Sequence, residues 1–162
     1  QIIGIGKVKA LQLSTQIEIA KRMIQGERNQ VVILDEPRKV WEYLYPQVRS
    51  DSVERVWVLC LDRKNKLIRA ESVTSGTATG SLVHPREVFR PAIRYGATAI
   101  ILAHNHPSGD PTPSSADLRV TKKIAEASKT VDLEMHDHVI VGEPEHCPQG
   151  VGYFSFSDSG HL

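Results

Sequence analysis

Cysteine is nearly missing from this chain: there are two in 162 residues, Cys60 and Cys147. Two thiols make no disulfide framework, and that usage suits a reducing, cytoplasmic compartment. Cys60 lies in the apolar run VWVLCLD and reads as a small buried residue. Cys147 follows His146 without partners at zinc spacing and reads as loop. No apolar stretch approaches the roughly 18 residues that a bilayer crossing requires, so no membrane role is expected. The first residues carry no signal-like pattern. They begin at Gln1 and read as the interior of a longer protein. A net charge of +1 gives no global pull toward nucleic acid or a membrane surface. What remains is ordinary, with 40% apolar and 24% charged residues. That composition and length suit one compact α/β domain with a short appendage.

Apolar residues recur at helical spacing from Val8 to about Ile24, with Gly26 as a stop. Residues 26–37 read as a linker or short strand. Pro37 opens a second helix with Val40, Trp41, Leu44 and Val48 on one face. Glu54–Asp62 (ERVWVLCLD) is β-branched and apolar nearly throughout, as a strand buried on both faces would be. RKNK turns the chain into a returning strand at 67–76. A helix starts at Pro85, after His84, and Pro91 is expected to break or bend it before Gly96 stops it. Residues 97–106 form another buried strand, 115–130 a helix, 133–142 a strand and 151–157 the last strand. The order predicts an α/β fold, a mixed β-sheet flanked by helices, with an N-terminal helical remnant.

One segment carries chemistry: His104-Asn105-His106-Pro107, six residues, then Ser114-x-x-Asp117. Side chains alternate along a strand, so His104 and His106 point to one side. They emerge where a buried strand becomes a loop, a common place for active sites. Two imidazoles can hold a borderline metal such as zinc, and Asp117 at the next helix start offers a carboxylate. Two His and one carboxylate leave a fourth tetrahedral position open for water, the ligand count of a catalytic site. Taken alone, Ser114 and Asp117 also fit a helix start, as N-cap and N3 of a capping box. A cap of that kind can fix a ligand in place, so the two readings are compatible.

This pattern resembles the JAMM (MPN+) metalloproteases. The His-Asn-His-Pro-Ser-Gly variant resembles the RadC branch, as do LDRKNKLI (Leu61–Ile68), Asp137-His138 and the ending FSFSDSG. The resemblance covers residues 36–162 and implies a JAMM/MPN fold with cytidine-deaminase-like layering. It implies a zinc site at His104, His106 and Asp117. It makes Glu54 the general base that deprotonates the metal's water and then the proton donor to the leaving group. Ser114 becomes the donor to the developing oxyanion. Glu71 and Glu87 are rivals for the acid. Asn105 stands where the deubiquitinating branch has Ser or Thr, which argues against ubiquitin-like substrates. The implied activity is cleavage of an amide bond in an unidentified protein or peptide substrate.

His136 and His138 form a second pair on one strand face, read as a polar face with Glu134 or, for Asp137 and His138, as support near the zinc. Residues 1–26 resemble the C-terminal half of a helix-hairpin-helix module, which RadC-like proteins carry. That suggests DNA association of the longer protein. The competing reading is therefore a repair or recombination accessory with the JAMM domain as a binding module.

Overall fold

The computed structural model describes residues 31–75 and 83–162, together with residues 6, 8, 9, 11, 12 and 14–19. The chain divides into two units, Gln1–Val32 and Ile33–Leu162. In the first, residues 8, 9, 11, 12 and 14–19 are helical. Residues 1–5 of the expected helix-hairpin-helix half, and the stop at Gly26, lie outside the described residues.

The second unit runs α1 (Pro37–Val48), β1 (Arg55–Leu61), β2 (Leu67–Ser75), α2 (Pro85–Arg94), β3 (Ala99–Asn105), α3 (Ser115–Val131), β4 (Glu134–Val141) and β5 (Tyr153–Ser155). It is an α/β fold. The five strands form one mixed sheet in the order β2-β1-β3-β4-β5. Only β3 and β4 run parallel, and α3 is the helix that connects them, as a parallel crossover requires. Strand β3 is buried at every residue, and β1 at all but Arg55. That burial explains why both read as unbroken apolar runs rather than as alternation.

One sheet face meets α2 and α3. Its core joins Val56, Val58 and Cys60 of β1 and Ile100 and Leu102 of β3 to Val88, Phe89 and Ala92 of α2 and Val120 and Ile124 of α3. The alternate residues face the other way, where α1 packs on β4 and β5 through Val40, Leu44 and Val48. Trp41 is half-buried, and its Nε1 donates to Gly142 O at 3.1 Å.

Helix α2 corrects the expectation for Pro91. The helix runs through that residue unbroken to Arg94. Proline removes one backbone donor, but Pro91 is buried along with Val88, Phe89 and Ala92 of the same helix, and packing outweighs the lost bond. His84 caps the helix, accepting from Arg86 N at 3.4 Å. Strand β5 is shorter than expected, because the chain turns after Ser155 to place Phe156 in the interior.

Leu102 is fully buried at the centre of the sheet, whereas Ile93 is 65% exposed. Leu102→Ala is expected to lower unfolding stability by about 2–5 kcal/mol. Ile93→Ala should stay within about 0.5 kcal/mol of wild type. Urea titrations of the two variants check this contrast.

Candidate metal centre

The strand that ends at Asn105 delivers His104 into the interior, only 2% exposed, while His106 emerges just past the strand end. The following loop returns to Ser114, the N-cap of α3. There the capping box is complete: Asp117 N donates to Ser114 Oγ at 3.2 Å, and Ser114 N donates to Asp117 Oδ2 at 2.7 Å. The Ser114 hydroxyl also donates to Asp117 Oδ2 at 2.6 Å. The cap and the candidate ligand are therefore one structure, and two of these hydrogen bonds, both from Ser114, hold the Asp117 carboxylate toward the histidines.

The result is a tight group. His104 Nε2 lies 3.1 Å from His106 Nε2 and 3.4 Å from Asp117 Oδ1, and His106 Nε2 lies 3.7 Å from Asp117 Oδ2. Ligands about 2.0–2.2 Å from a tetrahedral ion stand roughly 3.4 Å apart. The three residues can hold a metal ion, and among the described residues they are the one group of His, Cys, Asp or Glu so placed. The His106 ring has its orientation set from outside. Its Nδ1 lies 2.7 Å from Asp110 O, a carbonyl that can only accept, so Nδ1 carries a proton and Nε2 faces the group.

The loop itself is pinned. His106 N donates to Val141 O at 3.0 Å and Glu143 N to Gly109 O at 2.7 Å. Gly142 has no room for a side chain, because a Cβ there would collide with Gly109 O and press on Pro111. Gly109 has φ 80° and lies directly against His146.

The electrostatics fit a cation site. Burial pushes His104 down to about 4, against an upward pull from the Asp117 carboxylate. Burial also lowers His106, but Asp117, Asp110 and Glu54 outweigh it and leave that ring raised. For Asp117, burial raises the carboxyl, while His106, His104 and Ser114 together hold it well below the usual carboxylate range.

Glu54 precedes β1, half-buried, and the charges of both His106 and Asp117 act on its carboxyl. Burial raises it, as does Asp117, while His106 lowers it. The rivals sit elsewhere: Glu71 accepts from Tyr95 and Arg69, and Glu87 pairs with Arg86 and Arg90 in a groove between β2 and α2.

Two positions carry more than the sequence revealed. Asn105 is buried, and its side chain brackets Glu54. Its Oδ1 accepts from Arg55 N at 2.8 Å, and its Nδ2 donates to Val53 O at 3.1 Å. A residue read only as a departure from Ser or Thr fixes the backbone on both sides of the proposed base. Thr121, one helical turn after Asp117, contacts His138 Nδ1 at 2.6 Å. The signal for it was a polar residue on the buried stripe of α3, four positions from Asp117.

The expectation that His136 and His138 share a face fails. A bulge in β4 opposite Ile100–Ile101 shifts the alternation. His138 turns toward His104, at 2.8 Å, and stacks on Phe156. His136 instead lines a pocket with Asp137, Leu34 and Ile101 on the opposite side of the sheet. Asp137 is structural: it accepts from Ser155 Oγ at 2.6 Å, Ser157 N at 2.9 Å and His138 N at 2.7 Å, and so ties down the C-terminal turn.

A family model described as RadC-like JAB domain matches residues 33–161. The chain belongs to the RadC-like JAB family. Relatives of this RadC-like domain include a UPF0758 protein of Chlorobium phaeovibrioides, 42% identical over 159 residues, which are 98% of this chain and 68% of that protein. A UPF0758 protein of Methanosarcina barkeri is 37% identical over 165 residues, covering 100% of this chain and 68% of its own length. One from Symbiobacterium thermophilum is 42% identical over 159 residues, 98% of this chain and 64% of its own. No helix among the described residues is long and apolar enough to cross a membrane.

The depressed His104 gives the RadC-like domain a pH signature. An unfolded histidine titrates near 6.5, whereas folded His104 titrates at about 4. Between those values the unfolded state binds a proton that the folded state does not, so stability falls as pH drops through the window, by roughly 3 kcal/mol. His138, lowered by burial first and by His104 next, adds the same sign. The raised His106 acts above pH 6.5, outside this window, and the Glu54 carboxyl, raised by burial, opposes the fall only at its acid end. The melting temperature of the metal-free domain is expected to fall between pH 6.5 and 4, and His104→Asn should flatten that slope.

Proposed function

We propose that the protein is a zinc-dependent hydrolase of the JAMM type, cleaving an amide or isopeptide bond in a protein or peptide substrate. The observation that carries the reading is the convergence of His104, His106 and Asp117, with one donor atom from each lying within 4.8 Å of the others. Zinc suits this donor set, two imidazoles and one carboxylate, with a position left open. When bound, zinc would polarise the substrate carbonyl and bring the pKa of water toward about 7.

The chain's own residues account for the rest. Glu54, placed where His106 and Asp117 act on it and raised by burial, takes a proton from the attacking water. The water's oxygen bonds to the carbonyl carbon, the carbon–nitrogen bond breaks, and Glu54 returns the proton to the leaving nitrogen. Asn105 holds the strand end that carries Glu54. Ser114 turns its hydroxyl from Asp117 to the oxygen that gains charge. The N-terminal helix is proposed as half of a helix-hairpin-helix-like module of the longer protein.

Elemental analysis of wild-type protein should give about one zinc per chain, lost in His104→Ala with Asp117→Ala, as expected for a site with three protein ligands. Glu54→Gln should keep the metal and lose about 10²–10⁴-fold in turnover of a cleavable peptide or isopeptide found by screening. Wild-type protein that takes up no zinc at neutral pH contradicts the proposal and favours the binding-module reading.

A further inference from the structure

Thr121 stands one turn beyond Asp117 on α3, and both it and His138 are buried. The threonine hydroxyl has a single proton, and it donates that proton to Asp117 O at 2.7 Å. A backbone carbonyl can only accept, so this direction is fixed. At its other contact, 2.6 Å from His138 Nδ1, the hydroxyl oxygen must therefore accept, and Nδ1 carries the hydrogen.

His138 is 1% exposed and lies flat on Phe156, with ring centroids 4.7 Å apart. Among the described residues its ring nitrogens meet only Thr121 and His104, and no carboxylate there is hydrogen-bonded to either. A buried ring without a counter-charge holds one proton rather than two. Its Nε2 is then a lone pair, and the 2.8 Å contact to His104 Nδ1 is donated by His104. That leaves His104 Nε2 bare, and it is the atom 3.1 Å from His106 Nε2 and 3.4 Å from Asp117 Oδ1.

We infer that Thr121 and His138 are positioning residues that set the tautomer of His104, so that its Nε2 lone pair faces the metal site. The chain of donors runs one way: His104 Nδ1–H to His138 Nε2, His138 Nδ1–H to Thr121 Oγ1, and the Thr121 hydroxyl to Asp117 O. It begins at one of the three grouped side chains and ends on the backbone of another, so the two are coupled through the interior. His106 is set independently by Asp110 O. The bulge in β4 is part of the device, because without it the alternation from Met135 would turn His138 to the opposite face.

The inference rests on the metal reading above, and its test separates the two. Long-range ¹⁵N–¹H NMR of the metal-free wild type should show both His104 and His138 with the proton on Nδ1. Zinc affinity, read by competition with a chromophoric chelator, should fall about 10–100-fold in Thr121→Val, which keeps the shape and loses the hydroxyl. Thr121→Ser, which restores it, should bind as wild type does. A His104 protonated on Nε2 in the wild type overturns this inference alone, and needs no variant to fold. Thr121→Val that is folded and binds zinc as tightly as wild type also overturns it. Wild-type protein with the expected tautomers that takes up no zinc overturns the metal reading, and this inference with it.

Discussion

A buried imidazole must have both nitrogens partnered, because an unpaired polar group in the interior is costly. His104 is such a group, 2% exposed at the end of a strand that is buried throughout. Its two nitrogens divide the architecture around it. One looks inward, to His138 and through it to Thr121 and the backbone of Asp117. The other looks outward, to His106 and the Asp117 carboxylate. The bulge in β4, the turn that lays Phe156 on His138, and the capping box of α3 all supply one side or the other. Asp137 serves the same end at a distance, since it anchors the turn that follows β5.

The loop between β3 and α3 faces the opposite problem, that of staying in place at the surface. Hydrogen bonds to Val141 and Glu143, and the close approach of Gly142 to Gly109, lash it to the end of β4. Functional side chains on such a loop are then held by the sheet rather than by the loop's own conformation. Asn105 extends the same support to Glu54, from the end of the strand that carries His104 and leads directly into His106.

Much of this was legible in the sequence. Apolar runs marked β1 and β3 because those strands are buried on both faces, and the His-x-His spacing with Ser114 and Asp117 marked the three grouped side chains. The rest depended on tertiary contacts that leave no local trace. A one-residue bulge decides whether His138 or its neighbour meets His104, and no periodicity reports it. Pro91 reads as a helix breaker until the core holding it is known. Thr121 and Asn105 are common residue types whose meaning lies in what they touch.

The central claim is that His104, His106 and Asp117 form one open, oxygen- and nitrogen-lined site. X-ray absorption at the zinc edge of the reconstituted protein tests it most directly. Two imidazole nitrogens and oxygen neighbours, all at about 2.0–2.2 Å with no sulfur, are predicted. A sulfur shell at about 2.3 Å, or a first shell without imidazole, would contradict it.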